Sequence, residues 1–381
     1  MKVFSAGLGL VAAVVFADDN HEDKRLIALS DTNREWLTLD QIAALEAKSI
    51  GFVDATNGVW DELPLLVAQH RSIVNKTYPE APQQQALLES IHDNVDPDDL
   101  KALLTEFVEK FPTRYRDSPE GKQSAGWIYD HVHELRANAR DHLTLTVRKF
   151  EHTWGQYSVI ARVEPAGGAT YDDVVVLSAH QDSINRKNLS NAPGADDDGS
   201  GTVTIFQTLK LLLDEEAWAP VRPVEFHWYA AEETGLQGSA AIVKAYATQH
   251  VDVYAQVQQD MTGYVAPGST PVVAFASDFS SPSLVTFLQR LVETYLDIGW
   301  VSRDFGYGAS DHASWFRAGY PSSFPFEAAR GFGNPYIHSA NDTLDKIDWK
   351  HVADFTKFSI AYVVELTQEA PNGDDDDTIK A

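Results

Sequence analysis

The reading of the fold turns on "DVVVLSAHQD", residues 173–182, followed by "GADDDGSG", 194–201, and the helical run "GTVTIFQTLKLLLDEE", 201–216. An apolar run without polar alternation is what a strand buried on both faces requires. A glycine-rich loop and a long 3.6-residue period after it make a strand–loop–helix unit, the building block of a largely parallel sheet. The three adjacent aspartates are the anomaly. Neighbouring anions raise one another's pKa unless a cation or a helix N-terminus compensates them. Alone, D-D-D-G would be a solvated turn with a helix cap; the rest of the chain decides otherwise.

Working outward, helical and strand patterns alternate from "DDLKALLTEFVEKF" (98–111) onward. "GKQSAGWIYDHVHELRANA" is a second helix, and "LTLTVRKFEH" and "YSVIARVEP" are strands with alternating faces. "PVEFHWYAAEE", "AQVQQDM" and "PVVAFAS" are further buried strands, with helices "GSAAIVKAYATQH" and "SPSLVTFLQRLVETYL" between or after them. The fold class is therefore α/β: a mixed, largely parallel central sheet flanked by helices, in a single domain spanning 78–370.

The ends of the chain differ from this body. Residues 1–17 carry one lysine, an apolar stretch and small residues around Ala17, the layout of a secretory signal peptide too short to span a bilayer. Residues 18–77 are charged and weakly patterned apart from "TLDQIAALEAK", and "NKTYPEAPQQ" (75–84) has the composition of a linker, so 18–77 is expected to be a pro-segment removed on maturation of a secreted protein, the alternative being a small accessory subdomain. The tail, 371–381, is acidic and without core residues and is expected to be disordered. Asn75, Asn188 and Asn341 head N-x-S/T triplets and are candidate glycosylation sites in that compartment. The chain has no cysteine, so core packing, metal or glycan must supply what disulfides usually supply outside the cell. A net charge of −26 excludes nucleic acid and anionic membranes as partners, because both demand clustered Lys and Arg.

Several strands end on groups that bind metal. His180 and Asp182 follow the first apolar run, Glu232 and Glu233 close the second, and Asp260 closes the third. In an open α/β sheet, ligands bind in the crevice beyond the carboxyl ends of the strands. Five or more acids converging there must either protonate or share cations. Histidine and carboxylate donors without thiolates favour zinc, with manganese and cobalt as alternatives, and a carboxylate bridging two ions would make a two-metal hydrolase centre. Glu232 and Glu233, as neighbours at a strand end, point in different directions, so one can bind metal while the other carries a proton.

His180-Gln181-Asp182-Ser183, Gly194–Gly201, "AAEETGLQGS" (230–239), "QDMTGY" (259–264), "SDHASW" (310–315) and "NPYIHSANDT" (334–343) together resemble the ordered motif set of the M28 di-zinc aminopeptidases, and most nearly the secreted fungal leucine aminopeptidases. The resemblance covers roughly residues 85–368 and implies a zinc-dependent exopeptidase fold. It makes Asp197 the bridging ligand, His180 and Asp260 the remaining ligands of one zinc, and Glu233 and His338 those of the other. It makes Glu232 the general base and Asp182 the residue that orients His180. Asp196 and Asp198 are left to cap the helix and shape the loop. Met261, Tyr307, Phe324, Phe326 and Ile337 resemble the lining of the family's specificity pocket. His312 belongs to a motif as support, and His227 is a core residue without a role. The implied partner is a peptide with a free N-terminus, and the enzyme is expected to be a monomer acting on leucine-like residues. Two other readings share this fold: a glutaminyl-cyclase-like enzyme with a single zinc, and a non-catalytic peptide-binding ectodomain.

Overall fold

The computed structural model describes residues 24–30, 33–46, 50–67 and 76–368. The expected signal peptide, the acidic tail and Asn75 lie outside them.

The chain begins with β1 (Lys24–Ala28), β2 (Arg34–Thr38), α1 (Leu39–Glu46), β3 (Val53–Asp54) and α2 (Val59–Val67). It continues with α3 (Gln85–His92), α4 (Pro97–Lys110), α5 (Pro119–Glu134), β4 (Leu143–Phe150), β5 (Ser158–Pro165), β6 (Val174–His180), α6 (Gly201–Asp214), β7 (Val224–Tyr229), α7 (Gln237–Thr248) and β8 (Val253–Gln258). The last elements are β9 (Val272–Ala276), α8 (Pro282–Tyr295), β10 (Gly299–Arg303), α9 (His312–Arg317), β11 (Ser322–Ser323), β12 (Pro325–Phe326) and α10 (Trp349–Thr367).

The central sheet has six strands in the order β11-β8-β6-β7-β5-β4. Pairings from β11 through β7 are parallel, and β5 and β4 run antiparallel at one edge. Every residue of β6 is buried. Val175, Leu177 and Ala179 enter the core beneath α4, α5, α6, α8 and α10, while Val174 and Val176 enter a second core with α2, α7 and α9. This two-sided burial is the physical reason for the unbroken apolar run. Local signals set the helix starts: Asp96 accepts from Asp98 N at 2.8 Å ahead of Pro97, and Ser118 accepts from Gly121 N at 2.9 Å ahead of Pro119. Leu100, Leu104 and Phe107 then line the buried face of α4 at helical spacing.

Three features go beyond the sequence reading. The run "PVVAFAS" is a buried strand, β9, but it belongs to a separate small sheet, β10-β9-β12, because β10 and β12 take its two edges. Residues 24–30, 33–46 and 50–67, within the expected pro-segment, carry regular structure. They form the antiparallel sheet β2-β1-β3 with two helices, and Val53, Ala55, Trp60 and Leu63 share the core of α7 and α9. The segment beginning at Lys76 is also no free linker. Lys76 Nζ pairs with Asp173 and Asp252, each at 2.9 Å, and Tyr254 Oη donates to Thr77 O at 2.6 Å. Glu365 accepts the backbone N–H groups of Gln83 and Gln84 at 2.8–3.0 Å. The partners of all these polar residues are distant in sequence, which hides their role from composition. Among the described residues no helix is long and apolar enough to cross a membrane.

Candidate metal centre

The parallel strands deliver their C-terminal ends to one edge of the sheet. His180 is the last residue of β6, Glu232 and Glu233 lie in the turn after β7, and Asp260 stands two residues past β8. Asp197 comes from the loop ahead of α6, and His338 from the loop between β12 and α10. Backbone strain gathers at the same points: Ala231, Met261 and His338 all have positive φ, 60°, 61° and 54°. For non-glycine residues this costs about 1–3 kcal/mol each and survives only where surrounding contacts over-determine it. The Asp197–Asp198 peptide bond is cis.

The five groups come together around Asp197. Its Oδ1 lies 3.1 Å from His180 Nε2 and its Oδ2 lies 3.1 Å from His338 Nε2. His180 Nε2 is 3.5 Å from Asp260 Oδ1, and His338 Nε2 is 2.9 Å from Glu233 Oε2. Tetrahedral zinc with ligands at about 2.0–2.2 Å leaves its donors roughly 3.3 Å apart. The observed spacings therefore fit donors arranged around a metal ion. Glu233 Oε1 is buried with no hydrogen-bond partner, an orphan that a cation would satisfy. Asp198 also lies close to His180 and Asp260. Its oxygens, however, are taken by backbone donors: His180 N at 3.1 Å, Met261 N at 3.1 Å and Gly201 N at 2.9 Å, the last of which caps α6.

Electrostatics point the same way. Burial opposes ionisation of Asp197, yet contacts with His180 and His338 hold its carboxyl well below the usual range. Burial pushes Glu233 up to about 7, with Asp197 adding repulsion. Glu232 is lifted well above the carboxylate range by burial, and Asp260, Asp311 and Glu233 add to that while His180 opposes it. Burial disfavours protonated His180, but Asp260, Glu232, Asp182 and Asp197 raise its pKa well above normal. The chain's own charges leave this excess of acid only partly compensated.

The remaining carboxylates hold backbone. Asp182 stands 3.6 Å from His180 Nδ1, which has the Asp182 carbonyl closer at 3.2 Å. The Asp182 carboxylate also accepts from Glu232 N at 3.0 Å and Glu233 N at 3.2 Å, so it sets the turn that carries both glutamates. Asp342, which sequence reasoning passed over inside the motif "HSANDT", accepts from Asp196 N and Asp197 N. Asp196 binds Gly263 N at 3.0 Å and Asn334 Nδ2 at 2.9 Å rather than capping the helix. Ser310 Oγ donates to Asp260 Oδ2 at 2.5 Å.

Met261, Phe324, Phe326 and Ile337 pack as one apolar cluster with Phe305 and Ala309. Met261 follows Asp260 and Ile337 precedes His338, so the cluster borders the centre on two sides. His312 stacks on Phe324 with centroids 5.0 Å apart, and burial pushes its pKa down to about 3. His227 pairs with Glu225 at 2.8 Å on the sheet, away from the ligand set. Tyr307 stands outside the cluster. Burial and the charge of Glu232 push its hydroxyl up to about 12.

A profile of peptidase family M28 matches residues 158–363. The chain belongs to peptidase family M28. It is 38% identical over 355 residues to a leucine aminopeptidase 1 of Coccidioides posadasii, covering 90% of this chain and 89% of that protein. A leucine aminopeptidase 1 of Fusarium vanettenii is 37% identical over 351 residues, 90% of this chain and 87% of the relative. The crystal structure of the Legionella pneumophila LapA aminopeptidase superposes with a TM-score of 0.77 at 24% identity, covering 91% of this chain and 99% of that one, and so shares the fold. This M28 chain is a metallo-aminopeptidase by family and by donor set.

The Asp182 contacts generate a test. Asp182→Ala leaves two N–H groups of the glutamate turn without acceptors, at about 1–3 kcal/mol for each buried group. We expect a clear fall in the denaturation midpoint; an unchanged midpoint would show that the turn holds without Asp182.

Proposed function

We propose that this M28 chain is a secreted two-zinc aminopeptidase that removes leucine-like residues from the N-terminus of peptides, kept inactive by residues 18–77 until they are cut away. The observation that carries the metal count is that the two oxygens of Asp197 face different histidines, each at 3.1 Å. Asp260 completes one donor set and Glu233 the other. A single-zinc cyclase needs only one such set, and a non-catalytic ectodomain needs no carboxylate in the place of Glu232.

When bound, the zinc pair supplies Lewis acidity that polarises the scissile carbonyl and acidifies the attacking water. The chain's own part is proton transfer and orientation. The Glu232 carboxylate takes the proton from the water and returns it to the nitrogen of the leaving amine. Asp182 fixes the direction of Glu232 relative to Glu233 by holding both backbone N–H groups. Met261, Phe324, Phe326 and Ile337 offer the apolar surface for the side chain of the first residue, and Tyr307 borders it. Asn188 and Asn341 are both exposed and accessible to glycan transfer.

The proposal of a restraining pro-segment rests on where residues 51–54 lie. The backbone of Gly51 presses on the Tyr307 ring, with no room for a Cβ between them. Phe52 lies under the guanidinium of Arg186 at 5.8 Å, and Arg186 donates to Glu233 O at 3.0 Å. Asp54 accepts from Gln237 Nε2 at 2.9 Å beside Gly235. The segment thus covers the rim of the centre on the side of the glutamate turn.

Three outcomes follow. Burying a leucine side chain contributes about 1.5–3 kcal/mol, so a leucyl arylamide should exceed the glycyl compound roughly 10- to 150-fold in kcat/KM. Aspartyl and N-acetyl-leucyl arylamides should be poor substrates, and efficient cleavage of the acetylated compound would exclude an aminopeptidase. Glu232→Gln should keep its metal and lose about 10²–10⁴-fold in turnover, whereas Asp197→Asn should lose metal; wild-type kcat in both would overturn the roles. Finally, chain 18–381 should be much less active than chain 78–381, and Gly51→Ala should raise the activity of the longer form. Equal activity of the two forms would rule out restraint.

A further inference from the structure

Arg114 is fully buried, and its guanidinium is spent on backbone rather than on a carboxylate partner. Nε donates to Gln181 O at 2.8 Å, Nη1 to Pro193 O at 2.5 Å and Nη2 to Gly194 O at 2.8 Å. Its plane rests over the Phe107 ring of α4 at 4.8 Å. Its own backbone is fixed from both sides: Arg114 N donates to Ser183 Oγ at 3.0 Å, and its carbonyl accepts from Gln156 Nε2 at 3.1 Å.

The three acceptors belong to two segments. Gln181 directly follows His180. Pro193 and Gly194 open the loop that carries Asp197. These loops meet at the metal centre, where His180 Nε2 and Asp197 Oδ1 stand 3.1 Å apart, and again where Ser183 Oγ donates to Ala192 O at 2.7 Å. Close approach is built in at Gly194, which has φ +52°; a Cβ there would come within 2.9 Å of Arg114 Nη2 and 2.7 Å of Ser183 Cβ. The guanidinium fork is suited to this task because its donors diverge in one plane at fixed angles, which an ammonium cannot reproduce. Its charge also sits among Asp342, Asp198, Asp182 and Asp197, all of which interact with it favourably.

We propose that Arg114 is a positioning residue of the metal centre: it clamps the His180 and Asp197 loops at a fixed separation and so sets the affinity of the site shared by those two ligands. This rests on the two-zinc reading above. Outer partners that orient ligands typically cost about 10–100-fold in metal affinity or activity when removed.

The test is zinc affinity, measured by competition with a chromogenic chelator, for wild type, Arg114→Lys and Arg114→Met of the full chain, with far-UV circular dichroism on each sample. We expect folded variants whose weaker-bound zinc is lost at about 10–100-fold lower chelator concentration. kcat at subsaturating zinc should fall, and KM for a leucyl arylamide should change little. Lysine should not rescue, since it keeps the charge but not the three directed donors. Wild-type zinc affinity in both variants would overturn the proposal. So would failure of both to fold, which would make Arg114 a support of the whole core rather than of the centre, and so would full rescue by lysine. A wild-type protein that binds no zinc would instead overturn the two-zinc reading itself.

Discussion

Mutual repulsion of buried carboxylates is the constraint around which this molecule is arranged. Asp182, Asp197, Asp198, Glu233, Asp260 and Asp342 all lie within one buried region at the carboxyl ends of the strands. Such a group is tolerable only if each acid finds donors or cations. The structure divides the work. Asp182, Asp198 and Asp342 are satisfied by backbone N–H groups of neighbouring ligand-bearing segments. Asp197, Glu233 and Asp260 turn instead toward the two histidines. Asp182, Asp198 and Asp342 thus act as struts between loops, and the acids facing the histidines leave an excess of negative charge at the centre.

The rest of the fold serves that arrangement. Parallel strands buried on both faces bring His180 and Asp260, 80 positions apart, to one edge, and the two cores pack the sheet from either side. Positive φ at Ala231, Met261 and His338 shows where the backbone is bent away from its preferred conformation to aim Glu232, Asp260 and the His338 ring. Stability distributed over the large cores can sustain these local costs.

Much of this was legible in the chain. The β6 run, the helical period of α6 and the capping signals before α4 and α5 each follow from local pattern, and strand ends bearing His180, Glu233 and Asp260 point to one crevice. What was not legible depends on long-range partners. Nothing local in "FPTRYRDS" marks Arg114 as buried, because its acceptors are carbonyls at positions 181, 193 and 194. Asp342 looks like part of a glycosylation triplet until its bonds to Asp196 and Asp197 are seen. The structured character of residues 24–67 was hidden by short strands with half-exposed faces, and the attachment of Lys76 by partners about 100 and 176 residues away. β9 shows the converse limit: its buried strand pattern is right, but pattern alone does not say which sheet it joins.

The most direct test of the account is the number of zinc ions per chain, counted by atomic emission on chain 78–381 after removal and stepwise return of metal, with leucyl arylamide hydrolysis followed on the same samples. The account predicts two ions at saturation, and a loss of activity that returns with zinc. Saturation at one ion with full activity, or full activity in verified metal-free protein, would contradict it.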